Sequence, residues 1–414
     1  MKIILILTLI ISTFSASGQN DIKKYVARNT NIIKTIQPDS LVFSDLEGVG
    51  RAIGDSRIVM LGEQDHGDAP TFLAKTRLIK YLHEQKGFNV LAFEDDFYTF
   101  NQGWDVLNKQ KQNINAFLKD NLYSIWSQCK QAENLLYSYI PSSVRNSAPL
   151  IITGFDSQLG SSYAEKNLKK FVDSFLKDQQ IAFTEINVYG SFFLPFIDSA
   201  LTSTDINKHL KFGSYIDIIM EQLPKKELTF EMMILKNLKV GSLNAVAFFT
   251  KSNEYLEIRD KQMAENLKWL VQQKYPNEKI IVWAANGHIF KNPELIKVST
   301  SKRKPMGDFF TQDTELAKST YIIGFNSRHG IAGRLTNENK YTIMKSGVNS
   351  FENWFPETTK FAFVDFKKFR ESYAKSSEYF LMKGIDHSVG FAIWTNIYDG
   401  VFYVRDMYPC DKFN

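Results

Sequence analysis

Arg57-Ile-Val-Met-Leu-Gly-Glu-Gln-Asp-His-Gly67 is the stretch from which the fold can be read. Residues 57–61 make a short apolar run of the length of a buried strand. The run stops at Gly62, and Glu63 and His66 follow before Gly67. The two glycines let the backbone bend and approach a ligand closely. Glu63 offers a carboxylate, and His66 offers the side chain that titrates near neutral pH. Such a run followed by acid and imidazole fits a strand end in an α/β protein, where ligands bind. A surface loop with incidental polar residues would carry the same letters, so the neighbouring segments decide between the two.

Downstream, Pro70 suits the first turn of a helix through about Lys86, with Gly87 as its stop. Phe88 to Phe93 is a second apolar run, ended by Glu94-Asp95-Asp96. Strand, helix, strand is a βαβ unit and implies parallel strands. The pattern then recurs. Residues 149–153 lead into Gly154-Phe155-Asp156-Ser157, and 278–283 into Ala284-Ala285-Asn286-Gly287-His288. Residues 320–325 lead into Asn326-Ser327-Arg328-His329, and 400–405 form a late strand. Helices are expected over 163–179, 205–223, 226–249 and 254–274, and helical pattern over 101–139. Upstream, a helix is expected over 22–36, ended by Pro38, and another over 45–53, capped by Ser44 and stopped by Gly54. The expected fold is α/β: a mostly parallel central sheet flanked by helices, with a largely helical inserted region at about 161–270. No repeat, low-complexity segment or Pro/Gly linker divides it, so residues 19–414 read as one domain.

Composition narrows the function classes. Hydrophobic residues are 44% of 414, with 33 Phe and 18 Tyr, enough for a thick core or a large apolar cleft. Net charge is +5, but 50 basic residues are scattered among 45 acids without a basic, aromatic-laced stripe, which argues against nucleic acid as a partner. Lys2, the apolar run 3–11 and the small, polar 12–18 form a signal-peptide pattern, with cleavage expected after Gly18. That run is too short to span a bilayer, so a periplasmic or secreted protein without stable membrane insertion is expected. Cys129 and Cys410 could pair in an oxidising compartment; they are not a metal motif.

Several motifs are missing. There is no Gly-x-Ser-x-Gly elbow. Asp68 stands where a phosphate loop needs Lys, and Gly48-x-Gly50 does not follow a strand. His83-Glu84 lacks the second His of a zinc helix, and His83 suits a helix-terminal role. A Glu/His cluster without a nucleophile is suited to water activation, with imidazole as base and carboxylate as its orienting partner. A second His or a cation can then stabilise an oxyanion. Two His and two carboxylates would equally satisfy zinc, and ligand identity does not separate the two.

Gly62-Glu63-Gln64-Asp65-His66-Gly67 resembles the Gly-Glu-x-x-His signature of the erythromycin esterase family. Gly87 to Glu94, Gly154-Phe155-Asp156, Arg259-Asp260-Lys261 with Met263-Ala264, Val282 to Ile289, Pro305-Met306-Gly307 and Asp399-Gly400 are similar to its later blocks, in order. The resemblance implies a metal- and cofactor-free esterase that opens the macrolactone of 14- and 15-membered macrolides and so confers resistance. It implies His66 as general base, Glu63 as its orienting partner, Glu94 as a second carboxylate and His288 as carbonyl or oxyanion binder. Lys75, Asp156 and Asn286 are the expected substrate contacts. Where the family usually has His-Asn-x-His, this chain has Ala285 before Asn286 and His288. That leaves open a metal-dependent or other-ester hydrolase of the same fold, or a non-catalytic envelope or binding protein. Other roles also compete. Lys75 would suit a solvated helix face, Asp156 a turn or helix cap, Arg259-Asp260 a helix ion pair, Trp283 the core, and His329 and His387 the surface or a satisfied structural position.

Overall fold

The computed structural model describes residues 21–224, 227–297, 303–337, 339–374 and 377–413. The expected signal peptide and its cleavage point lie outside these residues. Among the described residues no helix is long and apolar enough to cross a membrane.

Among the described residues eleven strands follow in order: β1 (Asn31–Ile32), β2 (Ile58–Leu61), β3 (Phe88–Asp96), β4 (Ile151–Asp156), β5 (Lys279–Trp283), β6 (Thr320–Ala332), β7 (Tyr341–Thr342), β8 (Phe361–Asp365), β9 (Phe380–Met382), β10 (Gly390–Ala392) and β11 (Gly400–Met407). The main sheet has the order β1-β8-β11-β6-β2-β5-β3-β4, with β7 on β6, while β9 and β10 form a separate pair. From β11 through β4 every neighbouring pair is parallel. β8, β1 and β7 add antiparallel edges. The expected mostly parallel sheet is present, with one topological difference. β2 and β3 are parallel but not adjacent, because β5 returns from far along the chain and lies between them.

Both faces of the sheet are covered, as parallel sheets require. Alternate residues take opposite sides. Ile58, Met60, Val90, Ala92, Ile280 and Val282 join one apolar cluster, together with Leu168, Phe212, Leu235 and Leu267 of the helical region. Val59, Leu61, Leu91, Phe93, Ile281 and Trp283 join the other, with Phe72, Leu78 and Leu82 of the helix Ala69–Lys86. That helix has Pro70 in its first turn and ends at Gly87 in the left-handed conformation, φ 71°.

Other boundaries depart from expectation. The helix begun at 21 stops at 29, where the chain turns out to the edge strand β1. Ser44 opens a 3-10 turn without a side-chain cap, and the α-helix starts at Glu47. Residues 101–139 break into short helices, including wide turns at Thr99–Gly103 and Asn134–Tyr139. β8, β9 and β10 lie in a stretch for which no strand was expected.

Cys129 and Cys410 form a disulfide across a sequence separation of 281. Closing so long a loop removes entropy from the unfolded chain. Reduction should therefore lower unfolding free energy by about 2–4 kcal/mol, measured by denaturant unfolding with and without reductant; an unchanged midpoint would contradict this.

Candidate active site

The parallel strands all point their carboxyl ends the same way, and there two charged clusters meet. The first surrounds Glu63, whose side chain is fully buried. Its Oε1 is 2.7 Å from His66 Nδ1 and accepts the Trp126 indole N–H at 3.2 Å. Its Oε2 accepts from Lys75 Nζ at 2.7 Å. An ionised carboxylate only accepts, so His66 donates through Nδ1 and leaves Nε2 to take a proton. Trp126 meets the His66 ring edge-on at 5.7 Å and fixes its plane. Lys75 is also fully buried, 4.0 Å above the Trp283 ring. Burial lowers the Lys75 amine to about 8, while Glu63 resists that shift.

Glycines make this loop possible through close approach. A Cβ on Gly62 would lie 1.9 Å from Asn286 Oδ1, and one on Gly67 1.9 Å from the Gly333 carbonyl. The loop is also tied to the next strand end, since Asn286 N donates to the Glu63 carbonyl at 2.7 Å.

The second cluster surrounds Glu94. A register shift between Phe93 and Asp96 separates the three acids at the end of β3. Asp95 accepts from Tyr123 N, Asp96 accepts from Thr99 N and Ser161 N, and Glu94 faces the site. Glu94 accepts from Arg259 at 3.0 Å and from Ala285 N at 3.0 Å, and lies 3.2 Å from His288 Nε2. Burial would raise its pKa, but His288, Arg259 and His66 together hold it well below the usual carboxylate range. His288 Nδ1 bonds Asp260, which also pairs with Arg303. Burial opposes a charge on His288, yet Asp260 and Glu94 prevail and raise the imidazole to about 9. Arg259 Nη1 is 3.4 Å from His288 Nε2. With His288 protonated both groups are donors, so this contact is one of like charges held together by Glu94. Asp156 grips Arg259 at 3.0 and 2.5 Å. Three carboxylates (Glu94, Asp156, Asp260) thus balance three cations (Arg259, His288, Arg303).

The structure brings Glu63, His66, Glu94, His288, Lys75 and Asp156 together. It corrects two of the substrate-contact expectations. Lys75 is neither a substrate contact nor on a solvated helix face; it is sealed beneath Glu63. Asn286 is fully buried and spends its amide on Phe325 and Gly384, so it braces the loop. Asp156 accepts from Gln158 N in its own turn, yet its main partner is Arg259. The expected Arg259–Asp260 ion pair does not form, because consecutive helix residues face different ways. Each joins a different carboxylate or imidazole in the site. Trp283 is core, His387 is a satisfied buried residue, and His329 is near the surface beside Asp406. His83 bridges Tyr139 and the Ala148 carbonyl rather than closing its own helix. Trp126 and Arg303 carried no signal in the sequence. Among the described residues no three His, Cys, Asp or Glu side chains are arranged to hold a metal ion. A separate cavity of about 660 Å³ in the helical region, lined by Tyr98, Tyr163 and Phe171 among others, shares no residue with either cluster.

Residues 234–405 match the family model for erythromycin esterase. Erythromycin esterase type II of Escherichia coli is 23% identical over 61% of this chain and 65% of its own length. A mutant of the erythromycin esterase EreC in its open conformation shares the fold, with TM-score 0.64 at 16% identity over 92% of this chain and 98% of its own. The chain is thus similar to erythromycin esterases, in sequence over residues 234–405 and in fold over most of its length. The fold also matches a succinoglycan biosynthesis protein, with TM-score 0.72 at 19% identity over 95% of this chain and 98% of that one. "Putative hydrolase YbfO" of Bacillus subtilis (strain 168) is 29% identical over 79% of this chain and 78% of its own length. These likenesses support a hydrolase.

The His288 shift has a pH consequence. Its folded value, about 9, exceeds the ordinary 6.5. The resulting stabilisation is fully present below pH 6.5 and is lost as pH rises through about 9. Asp260→Asn should lower the His288 midpoint and weaken that alkaline loss, as read by ¹³C-histidine NMR and pH-dependent unfolding. An unmoved midpoint would remove Asp260 as the cause.

Proposed function

We propose that this protein hydrolyses the macrolactone ester of 14- and 15-membered macrolides, such as erythromycin, and so confers resistance. The observation that carries the reading is the pairing of a base with an oxyanion site. His66 has Nδ1 fixed on a carboxylate and Nε2 left to take a proton, while His288 and Arg259 stand as cations across Glu94. Water adds to the ester carbonyl as His66 Nε2 takes its proton. Charge developing on the carbonyl oxygen meets Arg259 and His288. Collapse expels the ring alkoxide, which takes the proton from His66, leaving an acid and an alcohol. Lys75 pairs with the buried Glu63 carboxylate, and Glu63 keeps the His66 tautomer.

An ester other than a macrolactone is the second reading. Ala285 supplies only its backbone N–H to Glu94, so this position adds no imidazole to the site. We also propose that the chain is exported to the periplasm or secreted. The Cys129–Cys410 bond supports this, since such bonds persist in oxidising compartments.

Purified protein incubated with erythromycin should add the mass of one water to the drug, with or without chelator. His66→Ala should slow that conversion by at least about 10²-fold while the fold persists by circular dichroism. Retained turnover in the variant would overturn the mechanism, and an unaltered drug with active-looking protein would move the search to other esters.

A further inference from the structure

Both imidazole-bearing loops lean on one short segment, residues 383–387. Gln64 Nε2 donates to the carbonyls of Lys383 at 2.7 Å and Asp386 at 3.0 Å. Asn286 Nδ2 donates to the Gly384 carbonyl at 2.9 Å. His387 itself is buried, with Nε2 3.0 Å from Asp68 Oδ1 and Nδ1 3.2 Å from Ser327 Oγ. The other oxygen of Asp68 accepts from Asp65 N at 3.0 Å, and Asp65 Oδ1 accepts from His66 N at 2.8 Å.

Ser327, His387 and Asp68 are linked in the order of a serine-hydrolase triad. Ser327, however, has no exposed surface, so its hydroxyl cannot meet a substrate. The connection leads the other way, through Asp68 to the turn that carries His66. We propose that His387 is a positioning residue for His66: its Nε2–H holds one oxygen of Asp68 so that the other fixes the Asp65–His66 turn. Ser327 completes the arrangement by donating to Nδ1, which selects the tautomer in which Nε2 carries the proton. The Tyr341 ring lies 6.0 Å from that of His387 and meets it edge to face. Burial favours the protonated form of Asp68, and His387 is the main group countering it. Without His387 the Oδ1 of Asp68 would lose its buried hydrogen-bond partner, and the carboxyl group would no longer be held against the Asp65–His66 turn.

This inference rests on the role of His66 proposed above, so its test includes a readout that needs no substrate. The six histidines would be labelled at ¹³Cε1 in the full protein, and the His66 resonance assigned by its loss in His66→Ala. His387→Ala should move the His66 resonance and lower kcat on erythromycin about tenfold or more with KM within about twofold, as expected for a misplaced base. His387→Gln, whose amide nitrogen can still donate to Asp68, should recover most of both. Asp68→Asn should move the same resonance and decides the matter if His387→Ala does not fold. A His66 resonance unmoved in Asp68→Asn, or in folded His387→Ala, would overturn the proposal, as would failure of His387→Gln to restore it. Absence of macrolide turnover by the unaltered protein would remove the substrate reading while the resonance test still decides this one.

Discussion

A carboxylate without solvent contact governs the site. Glu63 is buried between Lys75, His66 and the Trp126 indole, and each of these depends on it. Desolvating such an anion costs several kcal/mol unless a cation and hydrogen bonds compensate. Lys75 is that cation, and its own desolvation is offset by the same ion pair and by the Trp283 face. Removing either partner leaves an uncompensated buried charge, a loss of about 3–5 kcal/mol. The pair therefore constrains substitution at four positions at once, although only His66 among them has a nitrogen left for chemistry.

The two active-site histidines differ because their carboxylates differ in number. His66 shares its one carboxylate with Lys75, so the charge of Glu63 is already balanced. His288 lies between Asp260 and Glu94, and is held positive. In the reaction proposed above, one imidazole accepts a proton and the other stabilises negative charge. The division of labour follows from acids supplied by a strand end and a helix, with no difference in the imidazoles themselves.

Much of this was legible in the sequence because strand ends announce themselves. Glu63, Glu94, Asp156 and His288 each follow an apolar run, and parallel strands bring such ends to one edge. Arg259 and Asp260 come from the helix Tyr255–Trp269, where a charged pair looks like any solvated face. Arg303 lies in a loop, and Trp126 in a four-residue helix where an aromatic reads as core. Lys75 and Asn286 were visible as polar residues near the site, but burial gave them inward roles that letters alone do not disclose. The insertion of β5 between β2 and β3 was equally hidden, since register between distant strands is set by packing rather than by local pattern. The missed strands β8, β9 and β10 are five, three and three residues long, too short for an alternation to show.

The loop that carries His66 is closed from the far end of the sequence. Cys410 N donates to the Gly67 carbonyl at 2.9 Å, and Ala69 N to that of Tyr408 at 3.1 Å. Cys410 is bonded in turn to Cys129, three residues from Trp126. Contacts between residues so distant in sequence form only after the intervening chain has been brought together, which places them late in folding. The strands and the helix Ala69–Lys86 can acquire local order early, but the turn beside His66 lacks its restraint until the segment at 408–410 docks. A chain that has collapsed without that docking would be compact yet lack this restraint on the turn beside His66.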